Sequence, residues 1–504
     1  MKWLTAVLTF ANLSVISGLL LGMAGKGLNT LTAALALICG AAFAVAAFLG
    51  TSDPGARKKT ANPPQPERKA RNATESEPNT LIRSALMRYR RVWFWAMAAC
   101  FAVFAVRSFC WLFYIDGSDY KIQSPNNLGD LSLHLTLIKT FANGVPLWPA
   151  NPIYVSSNLR YPAGIDLFNG LLSLVHVDLI TGLTWVGLVA SAATFYGFYR
   201  WGGTFAVAGF LLNGGIAGFQ FFKTWKFLDY QGTAADIAHK PIAWKSIPLS
   251  MFVTQRGWLY AIPAALVVLW HWREKFFRRD VAVADDPSGV AAYSAEAAAK
   301  AGSATPDPSA VALAKADDSG QSAGVDVHAY RKGPLPFWAA LALYASLPLF
   351  NLHTFIALTV VLVFALVLER PSEIKFIVDL TRNEGISGLG RLISRPKMWP
   401  EIFRGAPIRR YATAMLVLAL IPASFFVWLV TDHFRAAKVL QWHPGWAQDS
   451  QEFAAPFFKM GGAANFGSST MFGSLLQKTW NGVIAPFFQF WLTNFGLWIP
   501  LALA

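Results

Sequence analysis

Residues 30–50 read TLTAALALICGAAFAVAAFLG, a stretch without a single charged side chain. A helix that crosses a bilayer needs about 20 consecutive, mostly apolar residues. Similar stretches recur along the chain, so we predict an all-α polytopic membrane protein with about ten transmembrane helices. The predicted spans lie at roughly 3–22, 30–50, 92–115, 179–199, 204–222, 251–271, 336–350, 352–369, 411–431 and 483–504.

The composition of the 504-residue chain agrees with this class. Charged residues make up 14% of it and hydrophobic residues 54%, whereas a soluble domain has about 25% charged residues. The high apolar content argues against a disordered or nucleic-acid-binding chain despite the net charge of +15. We therefore expect a lipid bilayer as a partner and no nucleic acid.

The distribution of lysine and arginine predicts the orientation. About two-thirds of the 43 basic residues fall on one side of the predicted spans, mainly in 51–91, 273–332 and 370–410. Because cytoplasmic loops carry the excess of basic residues, this side is expected to be cytoplasmic. The predicted location is the inner (cytoplasmic) membrane, with the N-terminus in the cytoplasm.

The spans and loops divide the chain into five parts. Within the last part, 372–410 is an amphipathic inner segment and 432–482 is an outer loop. The five parts are the N-terminal helices 1–50, a basic cytoplasmic linker 51–91, a core 92–272 with the outer loop 116–178, a low-complexity cytoplasmic linker 273–335, and the C-terminal helices 336–504.

The first long outer loop carries the candidate chemistry. Leu131, Leu135, Ile138 and Phe141 share one helical face, which predicts an interfacial helix at about 130–142 with that face towards the membrane. Asp130 and His134 are four residues apart and share a face, so a carboxylate and an imidazole suited to proton abstraction lie side by side. Two simpler roles stay open: Asp130 as a helix N-cap and His134 as an interfacial polar residue.

A second short apolar element follows at 164–176. It is too short to span a bilayer, so we expect it to lie on the outer surface or to re-enter the membrane shallowly. Asp166 and Asn169 would mark its polar side. Simple interfacial anchoring is the alternative.

This loop resembles that of the GT-C superfamily of polytopic glycosyltransferases, which use polyprenyl-phosphate-linked sugars. The closest pattern belongs to a prokaryotic GT-C-like group of uncharacterised membrane proteins. The residues that carry the resemblance are Gly129-Asp130, His134-Leu135, Ile138, Phe141-Ala142, Gly144, Pro149, Tyr161-Pro162 and Leu171.

The resemblance implies an inverting transfer of a sugar from a polyprenyl-phosphate donor to a glycan or lipid acceptor. It assigns the base that activates the acceptor to Asp130, with His134 as the second catalytic candidate. Several GT-C families have an acidic pair here, whereas position 131 is leucine. The cofactor therefore stays unknown: a divalent metal is left open, without a clear ligand set.

Six further side chains are candidates for substrate binding. Arg256 lies at the outer end of its span, where a guanidinium suits a lipid phosphate; snorkelling towards headgroups is the alternative. His353 lies at the outer turn between spans 336–350 and 352–369, where a merely structural polar residue is also common. The six candidates are Asp119, Arg160, Tyr161, Asp166, Arg256 and His353.

Two functions stay open at this point. One is the glycosyltransferase, and the other is a lipid or polysaccharide transporter or flippase without covalent chemistry. A transporter predicts polar or broken helices near the bilayer midplane, for which Asn213-Gly214-Gly215 is the best candidate. The polar residues gather on one face instead, which favours the enzyme.

Overall fold

The structure is a computed structural model, and it describes part of the chain. The described residues are 1–52, 77–122, 128–154, 156–212, 225, 247–277, 333–367, 407–435, 473–475 and 479. The inner segment 372–406, most of the outer loop 432–482, the Asn213-Gly214-Gly215 motif and the last predicted span at 483–504 lie outside them.

The described part is mostly helical. Its helices are α1 (Lys2–Ala24), α2 (Thr30–Gly50), α3 (Glu77–Phe109), α4 (Leu128–Ala142), α5 (Gly164–Leu174), α6 (Leu179–Leu211), α7 (Gly257–Trp272), α8 (Phe337–Ala345), α9 (Leu347–Phe350), α10 (Leu352–Val367) and α11 (Pro407–Val430). A short π-helix, Ile247–Val253, precedes α7, and a π-helical turn, Arg273–Phe277, follows it. Two strands, β1 (Phe113–Asp116) and β2 (Asp119–Ile122), form an antiparallel hairpin.

Several helices have the length and composition of membrane spans. Five helices within the described residues are long and apolar enough to cross a bilayer, or six if the bent pair around Thr254–Arg256 is one span. The predicted segments 336–350 and 352–369 appear as shorter apolar helices that meet at Asn351. The helices indicate a membrane-associated protein, while the count of about ten spans stays a prediction.

The hairpin after α3 corrects two expectations. The span predicted at 92–115 ends at Phe109, and residues 113–116 are a strand. A turn at Gly117, with a φ of +65°, returns the chain to β2, where the ring of Tyr120 stacks on Phe113. The protein is therefore predominantly rather than wholly helical.

Helix α6 is broken at a glycine pair. Gly203 has a φ of 65° and a ψ of −155°, a backbone conformation open to glycine alone. The rings of Phe198 and Phe210 lie 5.1 Å apart across the break, although twelve residues of straight helix would span about 18 Å. The chain thus changes direction between the predicted spans 179–199 and 204–222.

The span predicted at 251–271 is also broken. The π-helix and α7 are bent by 108° around Thr254–Arg256. Gly257 starts α7 against the backbone carbonyl of Phe350, where a Cβ atom would collide with it. The bend carries Arg256 into the protein, and the close approach holds the start of α7 there.

Helices α4 and α5 lie inside the bundle. The predicted helix 130–142 is confirmed as α4, but its apolar face packs into the protein core rather than lying on an interface. Leu131, Ile138 and Phe141 are buried, and Leu135 is half-buried against the core. Residues Gly164–Leu171 of α5 are buried against α1, α2, α4, α6 and α7. Of the two alternatives for 164–176, the surface-lying one is therefore wrong, since Gly164 and Gly170 let Phe350 and Phe141 approach α5 closely. The shallow re-entrant element stays a prediction.

The bundle has two ends, which we name after one residue each. The Asp166 end contains the β-hairpin, the 143–163 loop, Arg256, Asn351 and Asp432. Gly27 contacts Gly144 at this end, and Gly164 contacts Phe350. At the Arg200 end, hydrogen bonds connect segments that are distant in the sequence. They link Met1 with Tyr196, Ser52 with Pro334, Arg273 with Arg200 and His271 with Tyr411.

The close approach at Gly257 predicts a destabilising substitution. Gly257→Ala should lower the free energy of unfolding by about 1–3 kcal/mol, because α7 must move off Phe350. Gly209→Ala in α6 is the control, since no atom lies within 4 Å of the added Cβ. Thermal unfolding followed by a thiol-reactive dye measures both, and equal melting temperatures would contradict the packing at Gly257.

Candidate functional site

A buried carboxylate forms the centre of the Asp166 end. The Asp166 side chain comes from the first turn of α5 and is 1% exposed. His134 of α4 is equally buried, and its Nδ1 lies 2.8 Å from Asp166 Oδ2. Because an ionised carboxylate only accepts hydrogen bonds, Nδ1–H donates and the second ring nitrogen, Nε2, carries no proton in the neutral ring.

Arg256 lies on the other side of Asp166. Its side chain is 0% exposed, and its Nε is 3.9 Å from Asp166 Oδ1, beyond hydrogen-bond distance. None of its three side-chain nitrogens has a hydrogen-bond partner among the described residues. The alternative that Arg256 snorkels to headgroups is wrong, because the bend before α7 turns the side chain inward.

Two buried oxygens of α5 also lack partners. Within the described part of the chain, Asp166 Oδ1 and Asn169 Oδ1 accept no hydrogen bond, while Asn169 Nδ2 donates to the carbonyl of Ile165. Buried polar groups are nearly always hydrogen-bonded in folded proteins. Arg256 and Asp166 Oδ1 thus leave adjacent donors and an acceptor unsatisfied, which a polar ligand between them would satisfy.

Asp130 occupies a different environment from His134. It lies in the first turn of α4 and is exposed, whereas His134, one turn later, faces Asp166. The two side chains are therefore not the surface pair that the sequence predicts. Instead, Asp130 is exposed in the first turn of α4, outside the buried Asp166–His134–Arg256 cluster.

Tyr161 connects the two environments. Its ring meets the ring of His134 edge to face at 5.7 Å. Burial raises the pKa of the Tyr161 phenol, and the negative charges of Asp166 and then Asp130 raise it further. The phenol therefore stays protonated at neutral pH and is available as a hydrogen-bond donor between the two carboxylates.

Arg160 has a structural partner that the sequence did not indicate. Its Nη2 and Nε donate to Asp432 Oδ2 at 3.0 and 3.3 Å, and Asn158 Nδ2 donates to Asp432 Oδ1 at 3.0 Å. The hydrogen bonds and the positive charge of Arg160 lower the pKa of the Asp432 carboxyl. Asp432 follows α11 directly, so this contact fastens the 143–163 loop to the end of that helix.

Two other candidates lie outside the buried cluster. Asp119 is exposed on the β-hairpin and accepts a hydrogen bond from Ser118. His353 is exposed in the first turn of α10, while Asn351 beside it caps that helix by accepting from the backbone N–H of Thr354. Both residues therefore lie at the Asp166 end but outside its buried interior.

The described residues contain no group of three or more His, Cys, Asp or Glu side chains that could hold a metal ion. The Asp166–His134 pair lacks a third ligand in this part of the chain. Arg256 supplies a positive charge at the same place. The chemistry of the described cluster thus suits an anionic ligand.

The buried cluster predicts a large effect of removing its carboxylate. Asp166→Asn leaves Arg256 buried without a counter-charge and should lower the free energy of unfolding by about 3–5 kcal/mol. Adding Arg256→Met should recover part of the loss. Thermal unfolding of the purified protein measures both. Exposed Asp119→Asn is the control, and an Asp166→Asn variant as stable as that control would contradict the cluster.

The Arg160–Asp432 contact predicts a pH-dependent effect. The folded state lowers the pKa of Asp432. The Asp432 carboxylate therefore contributes its full stabilisation at a pH above its unfolded-state pKa of about 3.9, and this contribution is lost as the pH falls through its folded-state pKa. Arg160→Gln should therefore lower the melting temperature at neutral pH, and the gap to the wild type should close in acid.

Lys121→Gln is the matched control, because it removes an exposed ion pair with Asp116 and such pairs contribute little. Melting temperatures across the acid range measure all three proteins. A gap between Arg160→Gln and the wild type that is independent of pH would contradict the assigned role of Asp432.

Comparisons of the chain with protein-family models, with curated proteins and with solved structures find no match.

Proposed function

We propose that the protein is a membrane glycosyltransferase that moves a sugar from a polyprenyl-phosphate donor to a glycan or lipid acceptor of the cell envelope. The observation that supports this most is the buried, unpartnered Arg256 guanidinium beside Asp166, together with the exposed Asp130 carboxylate, whose charge acts on Tyr161 as that of Asp166 does. One group suits the donor phosphate and the other the acceptor hydroxyl. The reaction needs both in one place.

Arg256 would bind the donor phosphate. A guanidinium has five N–H donors in a planar fork that matches two phosphate oxygens. Its contact with Asp166 is too long for a hydrogen bond, so these donors are unpaired, and a donor phosphate that entered between the helices would satisfy them. As the bond between the anomeric carbon and the phosphate oxygen breaks, negative charge develops on the leaving lipid phosphate, and a fixed cation stabilises it.

Asp130 would act as the base. The acceptor hydroxyl gives its proton to the Asp130 carboxylate while its oxygen forms the new bond to the anomeric carbon, and the lipid phosphate departs from the opposite face. This displacement inverts the anomeric configuration. Exposure keeps the Asp130 carboxylate accessible to an acceptor that arrives from outside the bundle.

His134, Asp166 and Tyr161 would position these groups. Asp166 orients the His134 ring through the 2.8 Å hydrogen bond and lies beside Arg256. Tyr161 would donate a hydrogen bond to the sugar or to the phosphate. In this assignment His134 is a positioning residue, and Arg160 holds the loop rather than the substrate.

The topology belongs to the same proposal. Ten spans with a cytoplasmic N-terminus place the Asp166 end at the outer face of the inner membrane. A lipid-linked sugar would enter sideways between helices. The basic Arg200 end would then face the cytoplasm, in keeping with the positive-inside distribution.

A transporter or flippase is the second candidate. The breaks at Gly202–Gly203 and at Thr254–Arg256 are the feature that favours it, because interrupted helices are common in transporters. The two candidates differ in whether a covalent bond to the lipid phosphate is broken.

The enzyme proposal predicts the effect of removing the base. Asp130→Asn should lower the rate of transfer by about 10²–10⁴-fold while leaving the protein folded, because the side chain is exposed. The full chain in vesicles, supplied with undecaprenyl-phosphate hexoses and pentoses and a membrane glycan extract, is assayed by release of undecaprenyl phosphate.

Asp116→Asn is the matched control, since it removes an exposed carboxylate of the β-hairpin at the same end that is not a candidate for binding or catalysis, and it should keep the wild-type rate. Wild-type activity in Asp130→Asn would overturn the assignment of the base. Movement of labelled lipid across the vesicle without any release of undecaprenyl phosphate would favour the transporter.

A further inference from the structure

A basic cleft lies at the Arg200 end, far along the bundle from the Asp166 cluster. It has a volume of about 580 Å³ and opens between α3 and the break in α6. Gly202, Gly203 and Thr204 of the break form one wall. The side chains that define the cleft are Arg90, Arg91, Phe94, Tyr199, Arg200 and Phe205.

Contacts of Tyr199 and Arg273 fix the walls of this cleft. The ring of Tyr199 lies 5.0 Å from that of Phe94, which fixes α6 against α3. Arg273 donates hydrogen bonds to the carbonyls of Trp201 and Arg200 at 2.7 and 3.2 Å, and its guanidinium lies 4.6 Å from the Trp201 ring. Arg273 thus satisfies carbonyls at the helix break and fixes the backbone that carries Arg200.

The charge of the cleft is one-sided. Its lining within the described residues contains three arginines and no carboxylate. The three arginine side chains are exposed, so each presents its guanidinium to whatever enters. Like charges brought together in this way favour an anion between them. Arginine binds phosphate with two parallel hydrogen bonds, which suits a phosphate better than a chloride.

The surroundings of the cleft point to a lipid rather than a soluble phosphate. Phe205, which lines it, is 52% exposed, and the neighbouring Tyr89 and Trp95 of α3 are 67% and 65% exposed. Aromatic side chains of this kind are enriched where a helix bundle meets headgroups. The cleft therefore combines a phosphate-binding side with an apolar side that suits a glycerol backbone and acyl chains.

We propose that the Arg90–Arg91–Arg200 cleft binds the phosphate of an anionic glycerophospholipid from the leaflet that borders this end of the bundle. The lipid fills the break in α6 and neutralises the three arginines. This binding is independent of the reaction proposed for the Asp166 end. Basic pockets between helices suit such headgroups.

Native mass spectrometry of the full chain in detergent micelles tests this. The protein is titrated with phosphatidylglycerol or with phosphatidylcholine of the same acyl chains, and the lipid-bound fraction is measured. We expect the wild type to retain phosphatidylglycerol preferentially. Arg91→Gln/Arg200→Gln should weaken its binding by about tenfold or more, because charge-assisted hydrogen bonds are lost.

Arg410→Gln is the matched control, because it removes an exposed arginine of α11 at the same end that does not line the cleft. It should bind phosphatidylglycerol like the wild type. An equal loss in Arg410→Gln, or equal binding of both lipids by the wild type, would overturn the proposal in favour of non-specific attraction. Displacement of phosphatidylglycerol by inorganic phosphate at a concentration similar to that of the lipid would identify a site for free phosphate. That result would also overturn the proposal.

Discussion

The burial of the Asp166 carboxylate between His134 and Arg256 is the constraint on which the rest of the Asp166 end depends. A buried charge is stable only when it is paired or hydrogen-bonded. Asp166 satisfies one oxygen with His134 and leaves the other facing Arg256 at 3.9 Å. Three helices must therefore meet at this carboxylate, and the cation among them retains donors for a ligand.

The backbone is bent to make this meeting possible. The 108° bend before α7 brings Arg256 inward, and the contact of Gly257 with Phe350 holds it there. Gly164 lets the same Phe350 approach α5. The bends at the two ends have different consequences: the first encloses Arg256 beside Asp166, and the break in α6 leaves Arg200 on the wall of an open cleft.

The sequence predicted the local elements better than their environment. Apolar length predicted α1 and α2, and helical spacing predicted α4, because these depend on neighbouring residues in the chain. The sequence led us to assign the apolar face of α4 to a membrane interface. Periodicity shows that this face is buried, but it does not show which surface covers it. The partners of Asp166 and Arg160 come from distant segments: Arg256 lies 90 residues from Asp166, and Asp432 lies 272 residues from Arg160. Contacts of this kind leave no local signal, although the polar Thr431-Asp432-His433 run after an apolar span was visible.

A structure of the full chain with undecaprenyl phosphate would show whether Arg256 binds the donor phosphate. We expect phosphate oxygens at about 3 Å from at least two nitrogens of Arg256, with Asp130 facing the same space. A phosphate bound elsewhere, with Arg256 still enclosed beside Asp166 and without a polar partner, would contradict this expectation.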